Sequence, residues 1–223
     1  MGKTIWGPNG GWTGKFGMSI GSLWHGQFIQ RAYKPQVANP NTDAQKLQRA
    51  KFGYIASIAG ALNNILEIFM ESYCVHAATT VVGQFVKQNI QNVNGSTPES
   101  LEINYTELSL SAPNARLMAV MPGEVDLETP LTVKTSIEDS YYDAKFNSQS
   151  DTVYLVAYSK TANEAVISDG NAKRNTGSVE VTVPAYWQGH YIESWLVVLG
   201  DPTKELTRGK VSPSVYVGSG RIA

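Results

Sequence analysis

The sequence predicts an α+β protein: a Gly-rich β-ribbon and a small helical block, followed by an immunoglobulin- or fibronectin-like β-sandwich. Eight of the 20 glycines fall within residues 2–26. Residues 39–92 repeat apolar side chains at three- and four-residue steps, and the chain after Pro98 alternates apolar and polar residues in short runs. We expect two domains, over residues 1–97 and 98–223.

The ribbon is expected within residues 3–33. A strand with one bulky and one almost bare face is predicted by the alternation of Phe16, Gly17, Met18, Ser19, Ile20 and Gly21. A second strand is expected over residues 27–33, after the turn-prone pair His25-Gly26. Such a ribbon is marginally stable alone, and glycine removes the Cβ where another backbone must come close. We therefore interpret this segment as an assembly element.

The helical block is expected to begin at Asn41 or Thr42, either of which is a good N-cap, and Gln45 follows Thr42 at capping-box spacing. A helical stripe follows, with a break near residues 63–64 and a further helix from about residue 76 to 91. Turn-forming residues 94–98 end the block. The stripe comprises Leu47, Ala50, Tyr54, Ile58 and either Ala61 or Leu62.

The sandwich is predicted from seven or so short alternating runs over residues 98–223. Pro184, Pro202 and Pro213 fall at strand ends, where a missing N–H costs least. The predicted strands cover residues 101–105, 108–110, 131–133, 153–158, 178–183, 191–199 and 215–217.

Several of these motifs resemble a family of uncharacterised proteins from Bacteroidota bacteria and their phages. Residues 7–17 read Gly-x-x-Gly-Gly-x-x-Gly-Lys-x-Gly, and Trp24-His25-Gly26 and Arg31 follow. Residues 39–52 read Asn-Pro-x-Thr-x-x-Gln-x-x-x-Arg-Ala-Lys-Phe, and a similar string occurs in phage structural proteins. The family's C-terminal half looks immunoglobulin-like, with a Val-Pro pair at Val183-Pro184. The family ends on Ser-x-x-Tyr-Val-Gly, and residues 214–218 resemble this ending but have one residue fewer between the serine and the tyrosine. The resemblance implies a role in virion or surface assembly.

From these observations we predict a non-enzymatic structural protein of a bacteriophage particle. The chain would be made in the host cytoplasm and reside in the virion. Its partners would be further copies of itself and other virion proteins. The expected assembly contacts are Gly10, Gly11, Trp12, Gly14, Phe16, Gly17, Gly21, Trp24, Arg31, Arg49 and Phe52.

Charge is distributed unevenly along the chain. Residues 1–97 carry eight Lys and Arg against three Asp and Glu, whereas residues 98–223 carry ten against sixteen. Either the two domains differ in surface charge, or subunits attract one another head to tail. Arg31 or Arg49 is expected to pair with an acidic residue of the sandwich or of a neighbouring subunit. Eight scattered cations do not predict a nucleic-acid binder, and no apolar run predicts a membrane span.

The sequence predicts no enzyme, cofactor or metal site. The three histidines are isolated, and Cys74 has no histidine positioned to activate it. No phosphate-binding loop or dinucleotide fingerprint is present. The acidic residues Glu138, Asp139 and Asp143 match no cation-binding spacing and are expected in a solvated loop.

The alternative function is a bacterial surface adhesion or carbohydrate-binding module. Aromatic rings in turn-rich segments could stack on a glycan or anchor a partner, or they could close the ends of the sandwich. The candidate ligand platform is Tyr141, Tyr142, Tyr186 and Trp187.

Overall fold

The computed structural model describes residues 3–4, 11–36, 41–139, 143 and 145–223. It confirms the α+β class, with an N-terminal antiparallel sheet, three helices and then further antiparallel sheets. The chain divides into two compact units, Met1–Asp43 and Ala44–Ala223. The boundary expected between residues 97 and 98 therefore falls inside the second unit.

The first unit is an antiparallel sheet with strand order β1-β2-β3-β4. Its strands are β1 (Lys3–Thr4), β2 (Trp12–Phe16), β3 (Ser19–Trp24) and β4 (Gln27–Ala32). The expectation of one strand through residues 16–21 was wrong. Gly17 adopts a φ of +56° and reverses the chain, so Phe16 pairs with Ser19 across a hairpin. The second strand and its turn at His25-Gly26 are confirmed.

Three helices open the second unit: α1 (Asp43–Ala61), α2 (Asn63–His76) and α3 (Val81–Asn89). The break expected near residues 63–64 occurs at Leu62, where α1 and α2 meet at 96°. The third helix begins later than expected because the Thr80 side chain caps it, accepting a 3.1 Å hydrogen bond from the Gly83 N–H. Among the described residues no single helix is long and apolar enough to cross a bilayer, although the bent pair α1 and α2 together reach that length and composition.

Antiparallel sheets form the rest of the second unit. One sheet has the order β10-β9-β12-β13, another the order β11-β8-β7, and β5 pairs with β6. Of the strands expected over residues 101–110, only a two-residue strand forms, and β7 and β10 were not anticipated. The bounds are β5 (Val93–Asn94), β6 (Glu102–Ile103), β7 (Met121–Asp126), β8 (Thr132–Glu138), β9 (Thr152–Ser159), β10 (Glu164–Ile167), β11 (Ser178–Thr182), β12 (Tyr191–Leu199) and β13 (Val215–Arg221).

The strands β9 and β12 contribute to two hydrophobic cores because successive side chains point to opposite faces. Val156 and Trp195 pack with the three helices, including the fully buried Leu66. Leu155 and Leu196 belong to a second core. That core also takes side chains from the other large sheet, including Val133, Ile137, Val179 and Val181.

Candidate functional site

The N-terminal sheet owes its shape to two tight hairpin turns. Gly17 opens the first turn with a φ of +56°, and His25 and Gly26 form the second with φ values of +45° and +78°. Positive φ at both central positions is the signature of a type I′ turn, whose twist matches that of the flanking strands. These turns place three strands side by side within 21 residues, Trp12 to Ala32.

Two glycines make room for aromatic rings of the same sheet. A Cβ on Gly21 would lie 2.2 Å from the Trp12 carbonyl oxygen and 2.8 Å from its indole nitrogen. A Cβ on Gly11 would lie 1.9 Å from Cγ of Phe28. At these positions glycine is explained by packing inside one copy of the chain, so close approach of a second backbone is not needed to account for it.

Large apolar side chains are exposed over residues 16–29. Phe16 is 70% exposed and Met18 67% exposed, although a folded sheet normally buries such residues on one face. The strand register places Phe16, Leu23 and Phe28 on one face of the sheet. The exposed set is Phe16, Met18, Leu23, Trp24, Phe28 and Ile29.

The opposite face of the sheet combines apolar and cationic side chains. Trp24 and Ile29 share it with Lys15 and Arg31, because Lys15 and Arg31 both pair with Ile20 in the register. The Lys15 Nζ lies 3.6 Å from the centroid of the Tyr33 ring, a cation–π contact. Arg31 is exposed, and among the described residues no carboxylate of this unit pairs with it. The strands β2, β3 and β4 contain no Asp or Glu, so this face carries positive charge.

Most of the expected assembly contacts lie on this sheet, and the rest lie elsewhere. Arg49 and Phe52 belong to the second unit, where they are three residues apart on an exposed face of α1, and Phe52 is 55% exposed. Gly10 lies outside the described residues. On or beside the N-terminal sheet are Gly11, Trp12, Gly14, Phe16, Gly17, Gly21, Trp24 and Arg31.

The expected ligand platform is not assembled as a set of exposed rings. Tyr186 is 61% exposed, and its hydroxyl donates a hydrogen bond to the Glu164 carboxylate, which raises the pKa of Tyr186. Trp187 is fully buried in the second core, so its ring has no free face on which a sugar could stack. Tyr141 and Tyr142 lie outside the described residues.

A buried ionic cluster centred on Arg174 was not anticipated. Its guanidinium donates to Asp139 at 2.8 Å, to Asp151 at 3.3 Å, to Asn147 at 3.2 Å and to the Met118 carbonyl. Asp151 is fully buried and also accepts backbone N–H bonds from Ser148 and Asp201. Asp139 had been expected in a solvated loop. The cluster ties five loop segments together, and no local sequence pattern signals it.

A second unanticipated cluster surrounds the buried carboxylate of Glu193. Lys160 Nζ lies 2.5 Å from it, and the Tyr216 hydroxyl donates to it at 2.5 Å. The same ammonium stands 4.2 Å from the Tyr105 ring centroid and 4.9 Å from that of Tyr191. Burial, together with the hydrogen bond to Glu193, raises the pKa of Tyr216 to about 12. These groups satisfy one another, which makes the cluster a structural link between β12, β13 and Lys160, the residue that follows β9.

Comparison with known proteins assigns the chain to a family. The search of curated proteins gives no significant match. A family model matches residues 11–218, which covers both units and most of the chain. The resemblance of the chain to a family of uncharacterised proteins is confirmed to that extent, and the chain belongs to DUF6266, a family of unknown function.

Proposed function

We propose that this chain is a non-enzymatic structural subunit of a bacteriophage particle, and that it associates with copies of itself through its N-terminal half. The observation that carries the proposal is the exposure of six large apolar side chains over residues 16–29. Phe16, Leu23 and Phe28 share one face of the sheet, and Trp24 and Ile29 share the other. Exposed apolar patches of this kind mark interaction surfaces.

The energetics favour burial of this patch. Removing one large apolar side chain from water contributes roughly 1.5–3 kcal/mol. Six partly exposed side chains therefore represent several kcal/mol, which is the scale of the entropy lost when two proteins associate. The cations Lys15 and Arg31 add electrostatic complementarity to an acidic surface, such as the net negative residues 98–223 of another copy.

The assignment to a phage particle has a separate support. The string over residues 39–52 resembles one in phage structural proteins. Its described part begins α1 and ends at Arg49 and Phe52 on an exposed helix face. That face would contact other particle proteins, while the N-terminal sheet contacts further copies of the chain.

We also propose that β7 to β13 form a fibronectin-like sandwich of the immunoglobulin class. One sheet holds β7, β8 and β11, which are the first, second and fifth of these strands in chain order. The other sheet holds the remaining four, β9, β10, β12 and β13. A constant-type immunoglobulin domain instead adds the fourth strand to the first sheet. The support for two stacked layers is the second core, to which Val133 and Val181 contribute from one sheet and Leu155 and Leu196 from the other.

Self-association is tested with the double variant Phe16→Ser/Met18→Ser in the full-length chain. Both side chains are exposed, so the fold should persist while the dissociation constant rises by about a hundredfold or more, since each of the two lost apolar contacts costs about 1.4 kcal/mol or more. Sedimentation equilibrium across a dilution series measures the constant.

The matched control is Phe146→Ser, which removes an exposed ring from the second unit, 55% accessible. It should associate like the parent chain. A parent chain that stays monomeric at all concentrations, or a double variant as oligomeric as the control, would contradict the proposed contact. Mass spectrometry of gradient-purified phage particles tests the location separately: peptides of this chain should be present in them, and their absence would contradict a virion role.

Among the described residues of the expected platform, Tyr186 alone favours the alternative function, an adhesion or carbohydrate-binding module. Its ring is exposed, and its hydroxyl is fixed by Glu164. A glycan array with the parent chain and Tyr186→Ala distinguishes the two functions. A glycan signal that is lost in the variant would favour the module over the structural subunit.

A further inference from the structure

A cavity in the second unit is lined by several positively charged side chains. It has a volume of about 560 Å³ and lies between the C-terminal end of α2, residues 112–116 and residues 208–211. Arg116, Arg208 and Lys210 line it, together with His76. This cavity is separate from the N-terminal sheet, which belongs to the first unit.

The three permanent cations have no acidic counterpart in the cavity. No Asp or Glu is among its lining residues, and within the described part of the chain no carboxylate lies within 4.0 Å of Arg116, Arg208 or Lys210. Residues 98–223 contain more acidic than basic side chains, so carboxylates are not scarce in this unit. Like charges that face one cavity repel each other, and an anion bound between them would remove that repulsion.

Backbone hydrogen bonds hold the segment that carries Arg116 next to the segment that carries Lys210. The Arg116 and Leu117 N–H groups both donate to the Val211 carbonyl, at 2.9 and 3.1 Å. The Lys210 carbonyl accepts a 2.9 Å bond from the Gly200 N–H. Gly209, with a φ of +68°, forms the bend that separates Arg208 from Lys210. The positive charges are thus brought together by the fold.

Part of the remaining wall is apolar or aromatic, and Ser72 and Asn114 add polar groups. Phe69, Ala112 and Val211 contribute to it, and the partly buried Tyr73 adds the face or edge of a second ring. A low-dielectric wall strengthens charge–charge attraction beside it. A ring on the ligand could lie against this wall while its charged end meets the cations.

We propose that this cavity binds an oxyanion, a phosphate or carboxylate group carried by a small organic molecule. Arg116 and Arg208 bind the oxygens, since a guanidinium presents paired donors that match a carboxylate or phosphate, and Lys210 adds a third positive charge. Tyr73 contacts the organic part.

Binding is tested by NMR titration of the full-length chain with inorganic phosphate, phenyl phosphate and benzoate. We expect saturable amide shifts that include Ala115, Arg116, Gly209 and Lys210. Phenyl phosphate should bind more tightly than inorganic phosphate because its ring reaches Tyr73. Saturation by phenyl phosphate or by benzoate identifies the preferred oxyanion, and added NaCl should weaken either complex.

Arg116→Gln and Arg208→Gln should each weaken binding about tenfold, the loss expected for one charge-assisted hydrogen bond. Arg221→Gln is the matched control, because Arg221 is an exposed arginine of the same unit outside the cavity, and it should bind like the parent chain. The proposal is overturned if none of the three probes saturates, if the shifts spread over exposed cations such as Lys134, or if both cavity variants bind as tightly as the control. Self-association does not enter this readout.

Discussion

At the scale of single residues, the Arg174 cluster shows how a buried charge is tolerated. The arginine side chain is fully buried, yet each of its guanidinium nitrogens donates to an oxygen. An ion pair in this setting does not by itself add much stability, since desolvation offsets the attraction. Removal of one partner is different, because it leaves the other charge buried without compensation.

We therefore predict that Arg174→Met lowers the free energy of unfolding by about 3–5 kcal/mol. Asp151 would keep only its two backbone donors, from Ser148 and Asp201, and Asp139 would lose its pair. Urea denaturation measures the change. Arg221→Met, an exposed change of the same type, should shift stability by less than about 0.5 kcal/mol. Equal effects of the two substitutions would contradict the role given to the buried cluster.

At the scale of elements, β12 and β13 are joined by a hydrogen bond from the Tyr216 hydroxyl to the Glu193 carboxylate, and the tyrosine that donates it ionises at high pH. Burial and the Glu193 carboxylate raise the pKa of Tyr216 to about 12, and burial also raises that of Tyr158 on β9 to about 12. An unfolded tyrosine ionises near pH 10. As the pH rises, the unfolded chain therefore loses these protons before the folded chain does. The free energy of unfolding then falls as the pH rises from about 10 to about 12.

We predict that stability is constant with respect to these tyrosines below pH 10 and falls as the pH rises from 10 towards 12. The free energy of unfolding measured in urea at several pH values in this window checks the slope. Tyr216→Phe should show a shallower fall, because it removes one of the groups that titrate differently in the two states. A slope unchanged by the substitution would show that Tyr216 does not contribute.

The same scale shows what local pattern could and could not predict. The runs that became β9 and β12 were predicted because they are rich in apolar and β-branched residues, as strands buried on both faces are. The helical stripe of α1 was predicted because burial of one helix face dictates its period. β7 and β10 were missed since edge strands tolerate irregular sequence: Pro122 lies in a bulged part of β7, and β10 has four residues. Residues 101–110 alternate, but only Glu102 and Ile103 enter a sheet, and the apolar residues of this segment join the core that the helices share with β9 and β12.

For the candidate site, the glycine-rich composition indicated which segment of the chain forms it, but not how the strands of that segment are arranged. The sequence placed Phe16 and Trp24 in an assembly element, yet the extent of their exposure depends on the hairpin at Gly17. It also interpreted Gly21 as a contact with another molecule, whereas the Trp12 ring of the same chain occupies that space. The Arg174 and Glu193 clusters join residues that are far apart in sequence, so no short motif could reveal them.

At the scale of the whole molecule, the helices and the sheets of the second unit share a core. Phe69 of α2 is 2% exposed, and its ring centroid lies 5.9 Å from that of Tyr154 on β9. Leu66 and Trp195 belong to the same core. A helical block that packs on a sheet in this way should unfold together with it.

We predict that Phe69→Ala destabilises helix and sheet together, by about 3–5 kcal/mol, through the cavity it leaves. Hydrogen exchange of peptides from α2 and from β12 should accelerate by the same factor. The control is Ile68→Ala on the same helix, where the side chain is 44% exposed and the effect should be small. Faster exchange in α2 alone would indicate that the helices form an independent domain.

In the proposed self-association, the outer edge strand of the N-terminal sheet would limit how many copies can join. β4 is the last strand in the order, and all six of its residues are exposed. Two such edge strands that pair antiparallel are related by a twofold axis, and neither edge is then free to pair with a further copy. That contact alone would end at a dimer. A ring or a tube of many copies would have to grow through the apolar faces of the sheet, where contacts between unlike surfaces can repeat without closing on a pair.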